Sequence, residues 1–216
     1  MGTPILMLDT SVEMQSALGV AKTITGISKA TEAVVTVTHD FSIGDLVVIN
    51  NVAGMVEINK RVVRVKAVST TVSFTCEELD STDWTAYASG GTASKVTELL
   101  AFDNATSFSF PEPAPNRMDS TTIHMTSKSE IFGLDEAPQI TMALQADPTA
   151  AHMVEMRAAS KAKTMRAFRV TLQTGVVLIF NAYVAGGRGL DGSGPGAIAT
   201  SSVSMALAAD EQYFAS

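Results

Sequence analysis

Among 216 residues there is one cysteine, Cys76, and there are three histidines, His39, His124 and His152. A single thiol cannot close an internal disulfide, so the bridged scaffold of a small secreted domain is excluded and a reducing place of synthesis is expected. The histidines lie far apart and no HxxxH or CxxC spacing occurs, so no local metal motif exists and no metal or cofactor is expected. Long apolar runs are missing too. The longest, GVVLIFNAYVAGG (175–187), is too short to span a bilayer and carries Asn181. The opening MGTPILMLDTS lacks the basic start and apolar core of an export signal. A soluble protein without a membrane partner is expected. Charge is scarce: 17% of residues are charged, against about 25% in ordinary globular chains. Basic patches interleaved with aromatics are absent, which argues against single-strand nucleic-acid binding.

What is present is apolar and slightly acidic. Hydrophobic residues make up 46%, mean hydropathy is +0.21 and the net charge is −7 with a pI near 4.9. An acidic chain has no general affinity for a phosphate backbone, which needs clustered Lys and Arg. A soluble chain this poor in charge is expected to hide surface against copies of itself.

The order of signals divides the chain. From Ile24 to Val96 residues alternate with period two, as in Val34–Thr38, Asp45–Ile49, Arg61–Val65 and Val72–Cys76, and turn residues such as Ile43-Gly44-Asp45 and Ser89-Gly90-Gly91 lie between them. Short strands at this spacing predict a small antiparallel barrel over 22–97. Residues 1–21 and 98–216 form a surrounding frame. It holds eight Lys or Arg and fourteen Asp or Glu, net −6, so most of the acidity belongs to it. Within the frame, SFSFPEPAPNRMDSTT reads as a long binding loop, because three prolines in five positions forbid a helix. Asp147 and Pro148 are expected to start the one helix, with Arg157, Lys161 and Lys163 towards its end. Its buried stripe is expected to be Ala151, Val154, Ala158, Ala162 and Met165, leaving Met153 and Met156 on the other side, either simply exposed or as a contact with a neighbouring subunit. Thr174-Gly175 turns an alternating strand into Val176–Val184, whose unbroken apolar run predicts a strand covered on both faces. A glycine-rich loop, 186–196, and a last strand with Val203, Met205 and Leu207 inward follow.

Candidate chemistry is thin. His39, Asp40, Ser42 and Asp45 lie close in sequence, but His39 and Asp40 are strand neighbours that point to opposite faces, so the stretch reads as a turn between strands. Gly187-x-Gly189-x-x-Gly192 fits a dinucleotide fingerprint in letters only, since Ser193-Gly194-Pro195-Gly196 follows where a helix must open. Cys76 lies on a strand beside Glu77 and Glu78, where a thiolate is disfavoured. No catalytic residue is expected.

Two stretches carry a resemblance. ITGISKATEAVVTVT (24–38), GDLVVINNVAGMVEIN (44–59) and STDWTAYASGGTASKV (81–96) are similar to a small β module of phage tail proteins that resembles a half-domain of ubiquitin-activating enzymes. That pattern implies Gly after Asn59; Lys60 stands there, so a wider hairpin is expected. The frame signals are Met118-Asp119-Ser120-Thr121, Ile131-Phe132-Gly133-Leu134-Asp135, Gln139-Ile140-Thr141-Met142, Asp147-Pro148 and TLQTGVVLIFNAYV. In that order they resemble the major tail tube protein of long-tailed, siphovirus-like phages.

The resemblance implies a mainly β fold: a tail-tube-type β-sandwich or barrel with one flanking helix, plus the inserted barrel projecting outward. It implies a non-enzymatic virion protein, made in the host bacterial cytoplasm, whose homo-hexameric rings stack into a tube. DNA would pass through without specific binding, and other tail proteins (tape measure, tail terminator, tail tip) would join it. Inter-ring contacts are expected at Phe108, Phe110, Pro111, Pro113, Pro115, Arg188, Leu190 and Asp191. A tail-tip or baseplate component, or a host-surface adhesin, is the alternative.

Overall fold

The computed structural model describes residues 9–69, 71–112, 115–135, 138–192, 194 and 196–215. The fold is mainly β with one α-helix among the described residues. Six antiparallel strands close a barrel: β2 (Lys22–Ile27), β3 (Val34–Val37), β4 (Leu46–Ala53), β5 (Val62–Ser69), β6 (Ser73–Cys76) and β7 (Ser89–Ala101). Their order is β2-β3-β6-β5-β4-β7, and β2 pairs back onto β7 at Lys22–Ala93. The alternation expected from sequence places Val35, Val37, Val47, Ile49, Val63, Val65, Phe74 and Cys76 inside, all nearly free of solvent. Closure removes sheet edges, so a barrel this small needs no partner to satisfy its backbone.

Lys60, where the resemblance implies glycine, takes the glycine-like backbone itself, with φ +66°. The Lys60 amide donates to the Ile49 carbonyl at 2.8 Å, closing a connection over 50–59 that contains a 3-10 turn at Val56–Ile58, and the Asn59 side chain exchanges two hydrogen bonds with the Val52 backbone at 2.7 and 2.9 Å.

β7 continues past the barrel, and its second half pairs with β1 (Ser11–Leu18). From there the sheet runs through β12 (Met165–Thr171), β13 (Val177–Gly186), β14 (Thr200–Leu207) and β11 (Gln139–Gln145) to β8 (Ala105–Ser109), with β15 (Gln212–Phe214) also on β13. The inward residues alternate: Ile140, Met142 and Leu144 on β11, Phe168 and Val170 on β12, Phe180 and Ala182 on β13, Val203 and Met205 on β14.

Helix α1 (Ala151–Ala162) packs on this core, with Met153, Met156 and Ala159 buried. The expected orientation is therefore reversed. Ala151, Val154, Ala158 and Ala162 are exposed, while Met153 and Met156 serve the chain's own core and are unavailable to a neighbouring subunit. Met153 and Met156 pack among the core residues of the sheet, where long, flexible thioethers fill more volume than alanines. The helix also starts later than expected. Its N-cap is Ala150 with no side-chain cap, and the Asp147 carboxylate instead accepts the Thr149 amide and hydroxyl, at 3.0 and 2.7 Å, in the turn before it.

Barrel and frame share a third apolar cluster: Leu46, Val48, Val62 and Val96 from the barrel meet Ala167, Ile179 and Phe214 from the frame. Arg64 places its guanidinium 4.2 Å from the Phe214 ring centre, Arg61 pairs with Asp210, and Asn181 donates to the Lys60 carbonyl at 2.9 Å. This seam covers the second face of β13 and explains its unbroken apolar run.

Candidate functional site

His39, Asp40 and Asp45 make local contacts within the barrel. His39 is 5% exposed; its Nδ1 accepts the Phe41 amide at 3.0 Å, and its ring stacks on Phe41 and meets Phe74 edge-on. Asp45 accepts the Ser42 amide at 2.7 Å and pairs with Lys95, while exposed Asp40 pairs with Lys22. These groups close a turn and share no reacting point. Cys76 is fully buried, and desolvation pushes its thiol far up, so no thiolate forms there. His152 leans on Phe102; burial lowers its pKa against the pull of Asp103 and Asp147. Among the described residues no group of three His, Cys, Asp or Glu converges to hold a metal. After β13 the chain runs through the glycine loop into β14, with no helix opening on Gly192.

Exposed apolar surface is the more informative feature. β9 (Pro115–Asp119) and β10 (Glu130–Asp135) pair with each other, Met118 opposite Ile131 and Arg117 opposite Phe132, and among the described residues with no other strand. Every residue from 115 to 134 is exposed except half-buried Ser120, Ser129 and Gly133. Phe132 is 67%, Leu134 89% and Ile123 96% exposed. Local polar bonds hold the hairpin: Ser120 Oγ donates to Ser129 Oγ at 3.0 Å, the Thr121 amide donates to Asp119 at 2.8 Å, and Arg117 lies 5.6 Å over the Phe132 ring. Prolines predicted a loop here. Paired strands form instead because Pro115 opens an outer strand, where no ladder donor is required of it. The two short runs Asn116–Met118 and Ile131–Leu134 around a Ser/Thr-rich turn were the available signal.

The expected contact residues divide. Phe108 sits on β8 opposite Met142, and Phe110 meets the Phe180 ring edge-on at 5.5 Å, so both are half-buried in the frame's core and are not free loop residues. Their alternation in ATSFSF lets β8 pair with β11 and turns both rings inward. Pro111 and Pro115 are exposed, and Pro113 lies outside the described residues. Arg188, Leu190 and Asp191 are exposed on the glycine loop, where Asp191 and Thr200 exchange backbone hydrogen bonds at 2.8 Å.

A model of the ubiquitin-activating enzyme E1 FCCH domain matches residues 30–97, a stretch that lies almost wholly in the barrel. The module is thus similar to that domain. No curated protein sequence matches the chain.

Proposed function

We propose that this protein is a non-enzymatic virion component whose copies join side by side and end to end into stacked, hexameric rings, forming the tail tube of a long-tailed phage. The carrying observation is the hairpin of β9 and β10. A two-stranded hairpin alone is marginal in water. This one presents Met118, Ile131, Phe132 and Leu134 to solvent together with two open backbone edges. Apolar patches and open edges of this kind are what a neighbouring copy covers. The free edge of β8 offers a second strand template, and the low charge of the chain favours buried subunit faces. The tube geometry and the number of copies are what the frame's resemblance to tail tube proteins implies.

The acid-rich frame suits a conduit for DNA. A wall carrying net negative charge repels phosphates within a Debye length of about 8 Å at physiological salt, so the cargo is not held. The barrel stands outside the channel in this reading, and tape-measure, terminator and tip proteins bind the ends of the tube.

Electron microscopy and sedimentation of the purified protein at rising concentration test the reading. Annular or tubular particles are expected. A single species of 22.7 kDa at every concentration, with no rings in the particle, overturns it. Stoichiometry within virions separates a tube protein, present in many rings, from a tip component or adhesin present in few copies.

A further inference from the structure

Tyr183 stands between two adjoining recesses on the frame. One, of about 520 Å³, runs over Val184, Ala185, Met205 and Ala206 to Lys163 and is mostly apolar. The other, of about 410 Å³, includes Lys163 again with Arg166 and the side-chain amides of Gln15, Asn50 and Asn181. Lys60 adjoins residues of this second half: its ammonium lies 5.9 Å from the Tyr183 ring centre, and its carbonyl accepts the Asn181 amide. Arg166 is matched by Glu155 at 2.5 Å. Lys60 and Lys163 form no ion pair among the described residues. Lys163 thus lines both recesses and Lys60, over the Tyr183 ring, stands beside them, in a chain of net charge −7.

Both lysines hold left-handed backbone, φ +66° at Lys60 and +53° at Lys163. Glycine is relaxed in that region and an L side chain is not. At Lys163 this conformation ends α1, and at Lys60 it goes with the amide's bond to the Ile49 carbonyl.

We infer that the double recess receives the Leu190–Asp191 corner of the glycine-rich loop of a second copy, with Leu190 in the apolar half and the Asp191 carboxylate between Lys60 and Lys163. This rests on the self-assembly reading and names its contact. Leu190 is 62% exposed, and Asp191 is exposed without an ion pair among the described residues. The two backbone bonds between Asp191 and Thr200 present the corner from a fixed frame. An apolar residue followed by an acid meets an apolar recess followed by a basic one. The surfaces differ, so the contact is heterologous, the type that closes into a ring or extends into a filament.

Two single variants, Lys163→Cys and Asp191→Cys, are mixed and mildly oxidised. Buried Cys76, with its ionisation suppressed, stays out of the reaction. A disulfide dimer containing one chain of each variant is expected. Lys163→Glu and Asp191→Lys should each weaken association by about tenfold or more, and the double exchange should restore it. Lys163→Gly should keep or raise the melting temperature while weakening association, which separates loss of a contact from misfolding. If the wild type assembles but no mixed dimer forms and Lys163→Glu associates normally, the contact is wrong and self-assembly stands. A wild type that stays monomeric overturns both.

Discussion

Gly54 has φ +88°, and a Cβ there would lie 2.6 Å from the Ala88 amide nitrogen and closer still to the Ala86 carbonyl oxygen. Backbone atoms cannot swing aside, so Gly54→Ala is expected to lower stability by about 2–4 kcal/mol, read from the urea midpoint. Acid acts through two sets of residues. Burial holds His152 below its ordinary 6.5, so the folded state binds fewer protons than the unfolded one. Its contribution is complete above 6.5 and is lost as pH falls through the folded value. Asp80, Asp119 and Asp147 are lowered by hydroxyl and then amide hydrogen bonds from Thr82, Thr121 and Thr149, each two residues on. Their contribution is present above the ordinary 3.8 and disappears as pH falls through the lowered values. His152→Gln should therefore flatten the loss of stability that sets in as pH falls below 6.5, and leave the loss in stronger acid. An unchanged upper limb would show that His152 is not its source.

At the scale of elements, Phe180 on β13 is stacked 5.2 Å from Phe168 and flanked by Phe108 and Phe110. Phe180→Ala is expected to cost about 3–5 kcal/mol in equilibrium unfolding. The hairpin behaves differently, because among the described residues its strands pair only with each other. Replacing 117–133 by a short Gly-Ser turn should leave the melting temperature of the monomer nearly unchanged and abolish particles in electron micrographs; normal rings after this deletion would remove the hairpin from assembly. The strands were readable in sequence because Ile140-Thr141-Met142 or Val203-Ser204-Met205 alternate locally. The helix was readable in place and not in orientation. Met153 and Ala158 both lie on plausible stripes, and only the packing beneath α1 selects between them.

For the whole molecule, the seam joining barrel and frame matters most. Ala167, Ile179 and Phe214 are covered by Leu46, Val48, Val62 and Val96, and β7 belongs to both halves. Each large apolar side chain buried there contributes about 1.5–3 kcal/mol. One cooperative unfolding transition is therefore expected. Phe214→Glu, which puts a charge beneath Arg64 and into the seam, should split it into two. A wild type that already unfolds in two steps would show that the seam does not couple the halves. Removal of 22–97 should destabilise the frame rather than trim an appendage, since it uncovers Ile179 and cuts β7.

The sequence by itself determined the mainly β class and the turns at Gly44 and Gly175. These follow from neighbours a few residues apart, through alternation, backbone freedom and side-chain direction. Tertiary structure alone decided which face of α1 is covered, that Phe108 and Phe110 turn inward, that 115–135 stands apart as a hairpin, and that Lys60 and Lys163 both stand near Tyr183. Those outcomes depend on surfaces far apart along the chain, and burial is a property of what arrives from elsewhere.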